Sequence, residues 1–184
     1  MKSREVTLPG GQCFQVPQGI QRIDSSSTHG WQVRYQGTKL YSDGESHDPK
    51  MSLINALSEL LARVAATPAG TALKQRASAN KTSDLPPGIS GPIVRNRPDR
   101  APTAGLSVLL PRYGSKSEIR NVHIGTPNTY TVEKYFAALE KCVTLRSEAV
   151  ARYEQDAKKA QGATLAFLRA ELRALRADRA SAPR

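Results

Sequence analysis

Two cysteines, Cys13 and Cys142, are too few for a disulfide framework or a metal-ligand cluster, and they read as free thiols in a reducing compartment. The three histidines, His29, His47 and His123, are scattered, so no metal site is expected from them. No apolar run approaches the roughly 20 residues needed to cross a bilayer. Met1 to Glu5 is followed by no hydrophobic signal segment, which reads as a cytoplasmic protein with no membrane partner. No Cys–His pair has supporting context, no glycine loop is built to cradle phosphate, and no ligand spacing marks a metal. No enzymatic activity and no cofactor are therefore expected. Carboxylates are also scarce: 16 Asp and Glu stand against 27 Lys and Arg, a formal charge of +11. A balance that basic favours a polyanion, most simply nucleic acid. A merely solvated basic surface is the bland alternative.

What is present is organised around His29 to Val64. Trp31, Val33 and Tyr35 alternate strictly with Gln32, Arg34 and Gln36, the period of a half-buried strand. The turn Gln36-Gly37-Thr38 leads to a second strand, Lys39 to Ser42. Asp48-Pro49 opens a helix with an acceptor side chain and a proline suited to the first turn. The helix carries Leu53, Ile54, Leu57, Leu60, Leu61 and Val64 on one face. Upstream, Gly19 to Ile23 reads as the first strand of the sheet, and Cys13 to Val16 as a short strand between the turns Pro9-Gly10-Gly11 and Pro17-Gln18-Gly19.

The second half repeats this order. Gly88-Ile89 answers Gly19-Ile20, and Gly105 to Leu110 answers Gly30 to Tyr35. Ile119 to Ile124 is a third strand. Thr131 caps a helix carrying Val132, Tyr135, Phe136, Leu139, Val143 and Leu145, with Lys134 where a capping box has glutamate. Ala149, Val150 and Tyr153 extend the stripe, and Gly162 is expected to break or bend the helix. Leu165, Leu168, Leu172 and Leu175 then form a short coiled-coil seam, offering a homodimer or protein-partner contact or packing on the chain's own domain.

The expected fold class is α+β: two small units, each a three-stranded antiparallel sheet on one helix, plus a C-terminal helical extension. The expected boundaries are 1–66 and 88–146 for the units, 67–87 for a Pro-, Gly- and Ser-containing linker, and 147–184 for the basic C-terminal helix. Ala72 to Ala79 has the composition for a helical turn or two. Positive charge is spread over the linker, the second unit and the tail. Such a spread suits phosphate tracking, since affinity scales with the phosphates neutralised.

The pieces Gly19-Ile20-x-Arg22, Gly30-Trp31-x-Val33-x-Tyr35 and Lys39-Leu40-Tyr41, followed by the amphipathic helix, resemble the Apetala/ethylene-response-factor type of DNA-binding domain, which has integrase and homing-endonuclease relatives. Arg120 to Thr126, leading into Val132 to Leu139, is the matching piece of the second half. The resemblance covers roughly 15–66 and 88–146. It implies tandem units whose sheets enter the major groove of double-stranded DNA, with a helix behind each, in a regulatory or DNA-organising protein of a phage or mobile element. Carried over, the implied readers are Gln21, Gln32, Arg34, Gln36, Lys39 and Tyr41 in the first unit and Asn121 and His123 in the second. Arginine pairs with guanine edges and glutamine with adenine edges. Leu109 departs from the pattern, and the basic loop holding Arg95, Arg97 and Arg100 has no counterpart in it.

Two other readings stand beside this one. In the first, the second unit and the C-terminal helix bind a protein, and the charge serves solubility. An apolar free sheet face would favour that reading and a polar, basic one would favour DNA. In the second, the partner is RNA, which requires exposed aromatics for stacking, and only Tyr41 qualifies. Trp31 is expected under the helix rather than as a stacking platform.

Overall fold

The structure is a computed structural model. It describes residues 1–45, 47–71, 73, 76, 81–98 and 100–180, apart from the side chains of Arg97, Arg179 and Ala180. The fold is α+β, with one two-stranded and two three-stranded antiparallel sheets and two helices among the described residues. Two compact units divide the chain: Met1–Pro68 together with Lys159–Arg184, and Ala69–Lys158. Most of the turn expected at Ala72 to Ala79 lies outside the described residues.

In the first unit, β1 (Ser3–Thr7) and β2 (Cys13–Pro17) form a hairpin. A three-stranded meander follows: β3 (Ile20–Asp24), β4 (His29–Arg34) and β5 (Thr38–Ser42). The β4–β5 turn has Gln36 at φ 51° and Gly37 at φ 103°. Two left-handed residues in sequence match the twist of flanking antiparallel strands. Helix α1 (Pro49–Ala66) starts as its sequence dictates: the Asp48 carboxylate accepts from the amides of Lys50 and Met51, with Pro49 in the first turn. Trp31, Val33, Leu53, Ala56, Leu57 and Leu60 are buried between sheet and helix. The hairpin adds Phe14 edge-on to Trp31, with ring centroids 5.8 Å apart.

In the second unit, β6 (Ile89–Arg97), β7 (Arg100–Leu110) and β8 (Glu118–Gly125) form the sheet. Helix α2 spans Val132–Ala180. Ile89, Leu106, Val108, Leu110, Ile124, Ala138 and Cys142 make the core.

The two meanders are duplicates in register. Ile20 faces Val33 and Ile89 faces Val108; Gln21 faces Gln32 and Ser90 faces Ser107; Trp31 faces Tyr41 and Leu106 faces Val122. The Arg34 amide donates to the Gly19 carbonyl at 2.7 Å, and the Leu109 amide to the Gly88 carbonyl at 2.8 Å. Gly19 and Gly88 both hold positive φ there, a conformation costly for side chains. The helices repeat one spacing, Leu53, Ala56, Leu57, Leu60 against Tyr135, Ala138, Leu139, Cys142. One extra residue makes a bulge between Ser90 and Ile93.

Several expectations are corrected. Gly162 does not break α2, which runs on from Val132 to Ala180, because glycine costs only about 1 kcal/mol in a helix and its neighbour Gln161 is anchored. Gln161 Nε2 donates to the Val64 and Thr67 carbonyls at 2.8 and 2.6 Å. The leucine seam is not an external coiled-coil surface. Leu168 and Leu172 are buried in the core of the first unit, and Leu165 and Leu175 pack partly against it, so the seam is consumed within the chain. Lys159–Arg184, which includes the end of the long C-terminal helix, groups with the first unit. Where α2 packs in the second unit, Val132, Phe136 and Val143 are exposed, Ala138 and Cys142 are buried, and Tyr135, Leu139 and Leu145 pack partly against the core.

Candidate nucleic-acid interface

Each three-stranded sheet has a helix on one face. On the other face of the first sheet stand Gln21 and Ile23 of β3, Gln32 and Arg34 of β4, and Thr38, Leu40 and Ser42 of β5. Cross-strand pairing sets Gln21, Gln32 and Leu40 in one row and Arg34 beside Thr38 in the next. Arg34 Nε donates to Gln32 Oε1, so the amide and the guanidinium form one polar unit along β4. On the second sheet the same face holds Ser90, Ser107 and Asn121 in one row, with Leu109 beside Ile119 and His123 opposite Gly105. Arg95 Nη2 donates to Asn121 Oδ1 at 2.8 Å. Leu109 and Ile119 are 41% and 64% exposed.

Neither free face carries a carboxylate among these residues. The acids of the sheets lie on the helix side and are paired. Arg22 forks between Asp43, at 2.7 and 3.0 Å, and Asp24, at 2.8 and 2.9 Å. Ser52 Oγ donates to Asp43, and the guanidinium lies 5.2 Å from the Trp31 ring centroid. Burial pushes the Asp43 carboxyl up, but hydrogen bonds from Arg22 and Ser52 outweigh it and hold the group below the ordinary carboxylate range. Arg22 likewise draws Asp24 down, with help from His29. Trp31 Nε1 donates to the Pro49 carbonyl at 2.7 Å. The network joins β3, the end of β5 and the start of α1, fixing how the sheet sits on the helix.

The implied readers therefore divide. Gln21, Gln32 and Arg34 share the free face of the first sheet, and Asn121 and His123 that of the second. Lys39 and Tyr41 are on the helix side: Tyr41 Oη donates to Glu59 Oε2 at 2.8 Å, and Lys39 Nζ lies 3.5 Å from the same oxygen. The reason is parity, since Lys39 opposes the buried Val33 and Tyr41 the buried Trp31. Tyr41 is thereby removed as a stacking platform. Gln36 sits in the turn instead of on the strand face, and its carbonyl, with those of Tyr35 and Gly37, faces Arg63 Nη1. Arg95, Arg97 and Arg100 are not in a loop but on the paired strands β6 and β7. Thr38, Leu40, Ile119 and Ser90, which the sequence reading did not assign to these faces, complete them, and their side of the sheet follows from the strand register.

On the helix side of the second unit, a cleft of about 390 Å³ carries Arg112, Arg120 and Arg152 with Glu118, Glu148 and Asp156. Its charged side chains balance in sign, and Glu118 already pairs with Arg112 and Arg120. Among the described residues no group of three or more His, Cys, Asp or Glu is placed to hold a metal ion. No described helix is long and apolar enough to cross a membrane. No family model, curated protein or solved structure matches the chain.

Proposed function

We propose that the chain is a non-enzymatic double-stranded DNA-binding protein that lays the free faces of its two sheets in the major groove, in a regulatory or DNA-organising role. The observation that carries this reading is the exclusion of carboxylates from both free faces, while the acids beside the sheets are turned to the helix side and neutralised. A face of amides, hydroxyls and guanidinium repels neither phosphate nor the acceptor-rich edges of bases. Gln21 and Gln32 suit adenine edges, and Arg34 suits guanine. The net charge of +11 supplies the sequence-independent part of the affinity. The meander with a helix behind it is also the arrangement that the integrase-type resemblance implies.

The test is fluorescence anisotropy of the purified protein on duplex DNA at several salt concentrations. Affinity falling log-linearly with salt, and weakened by Gln32→Ala with Arg34→Ala, is the expected result; no binding at low salt overturns the reading. One observation favours a second reading for the second unit alone. Leu109, Ile119 and Ile93 make part of its free face apolar, as a protein-docking surface would be.

A further inference from the structure

The β6–β7 hairpin runs past the sheet it belongs to. β8 pairs with β7 from Leu110 back to Ala104 and no further. Beyond that point Arg95 pairs with Thr103 and Arg97 with Arg100, so the strands continue as a two-stranded ribbon. Ile93, Val94, Arg95, Asn96, Pro98, Arg100 and Ala101 are exposed, and Val94 stands 64% exposed. Among the described residues from Ile93 to Ala104, none belongs to the core of the unit. Pro102, Thr103 and Ala104 are half-buried, but the outer part of the ribbon, with Val94, Arg95, Asn96, Pro98, Arg100 and Ala101 exposed, is not used in the domain's own core. Its chemistry is also one-sided: three arginines, one asparagine and a proline at the tip, with Asp99 the single acid in the stretch. At its base, the Arg95–Asn121 hydrogen bond ties it to the free face of the second sheet.

We infer that the tip of this ribbon is an arm that enters the minor groove of the same duplex, with the paired positions Arg97 and Arg100 in the groove and Pro98 against the base steps, while Arg95 stays at the base on Asn121. The inference rests on the DNA reading above and adds a second mode of contact to it. The minor groove concentrates negative potential where it is narrow and attracts arginine there. Proteins that use it commonly add an apolar wedge, proline included, that opens a base step and bends the duplex. A ribbon of two strands is slim enough to follow one groove while a broader sheet occupies another.

The experiment uses the full chain and a short A·T-rich duplex carrying a fluorophore at each end. The wild type is expected to bind, to draw the ends together, and to be displaced by a minor-groove-binding dye. Arg97→Ala with Arg100→Ala should flatten the slope of log affinity against log salt by about 2 while the melting temperature stays put. Pro98→Ala should keep affinity within about threefold yet lose most of the end-to-end approach. If the arginine pair binds with wild-type affinity and slope, the arm is overturned while the sheet faces stand, provided Gln32→Ala with Arg34→Ala still weakens binding. If the arginine pair weakens binding but the dye does not compete, the minor-groove assignment is overturned. If the wild type does not bind duplex DNA at low salt, both the arm and the sheet reading fall.

Discussion

Tyr41 Oη donates to Glu59 Oε2 at 2.8 Å, which ties the edge strand of the first sheet to its helix and turns Tyr41 away from the free face. Arg63 Nε holds the other oxygen of the same carboxylate at 2.8 Å. These hydrogen bonds, Tyr41 first and Arg63 next, bring the Glu59 pKa down to about 2. A lowered carboxylate pKa stabilises the fold fully above its unfolded value, and that contribution fades as pH falls through the folded one. The melting-temperature gap between wild type and Glu59→Gln should therefore be constant from neutral pH down to about 5 and close between there and pH 2. A gap that widens in acid would contradict the assignment. Circular dichroism melts at stepped pH measure it.

The Arg22 cluster should show a larger effect. Asp43 is buried, and Arg22 supplies two of its hydrogen bonds. Removing one partner of such a pair strands the other charge, at a cost of about 3 kcal/mol. Arg22→Met should destabilise by about that amount in urea unfolding, and Arg22→Met with Asp43→Asn by clearly less than the sum of the single changes. Strict additivity would mean that the pair is not coupled.

Leu168→Ala tests the consumption of the leucine seam. The side chain is fully buried in the core of the first unit, so truncation should cost about 3 kcal/mol of stability. Arg169→Ala, one residue on and exposed, should cost within about 0.5 kcal/mol. If the seam were a dimer contact, Leu168→Ala would instead change the sedimentation coefficient of the native protein while sparing monomer stability.

The sequence was legible where one period governed a segment. Alternation about Trp31, Val33 and Tyr35 located the core face of β4, and the Asp48-Pro49 signal located the start of α1, because both are local chemistry. Element order and glycine placement pointed to the repeat, but the matching Gly19–Arg34 and Gly88–Leu109 hydrogen bonds were not legible, because they depend on how the strands pair. Lys39 and Tyr41 were misplaced because the face of β5 depends on its register with β4, which the turn at Gln36-Gly37 sets. Arg95 to Arg100 looked like a loop because proline and charge hide strand character when neither face of a ribbon is buried. The leucines at 165–175 carried a periodicity common to a coiled coil and to a helix packed on its own domain. Only the tertiary partner separates the two.

The apolar part of the second free face leads to the last prediction. Leu109 and Ile119 lie directly across from each other on β7 and β8, exposed and beside Ser107 and Asn121. On a DNA-reading sheet, an apolar pair in the major groove has one natural counterpart, the C5-methyl group of thymine. Duplex DNA with thymine replaced by uracil keeps every hydrogen-bonding edge and every phosphate but lacks that methyl. The wild type should bind the uracil duplex about threefold to tenfold more weakly, with the same salt slope, since no phosphate contact is lost. Leu109→Ala with Ile119→Ala should bind both duplexes alike, at the weaker level. Equal binding of both duplexes by the wild type would show that Leu109 and Ile119 read no thymine methyl group.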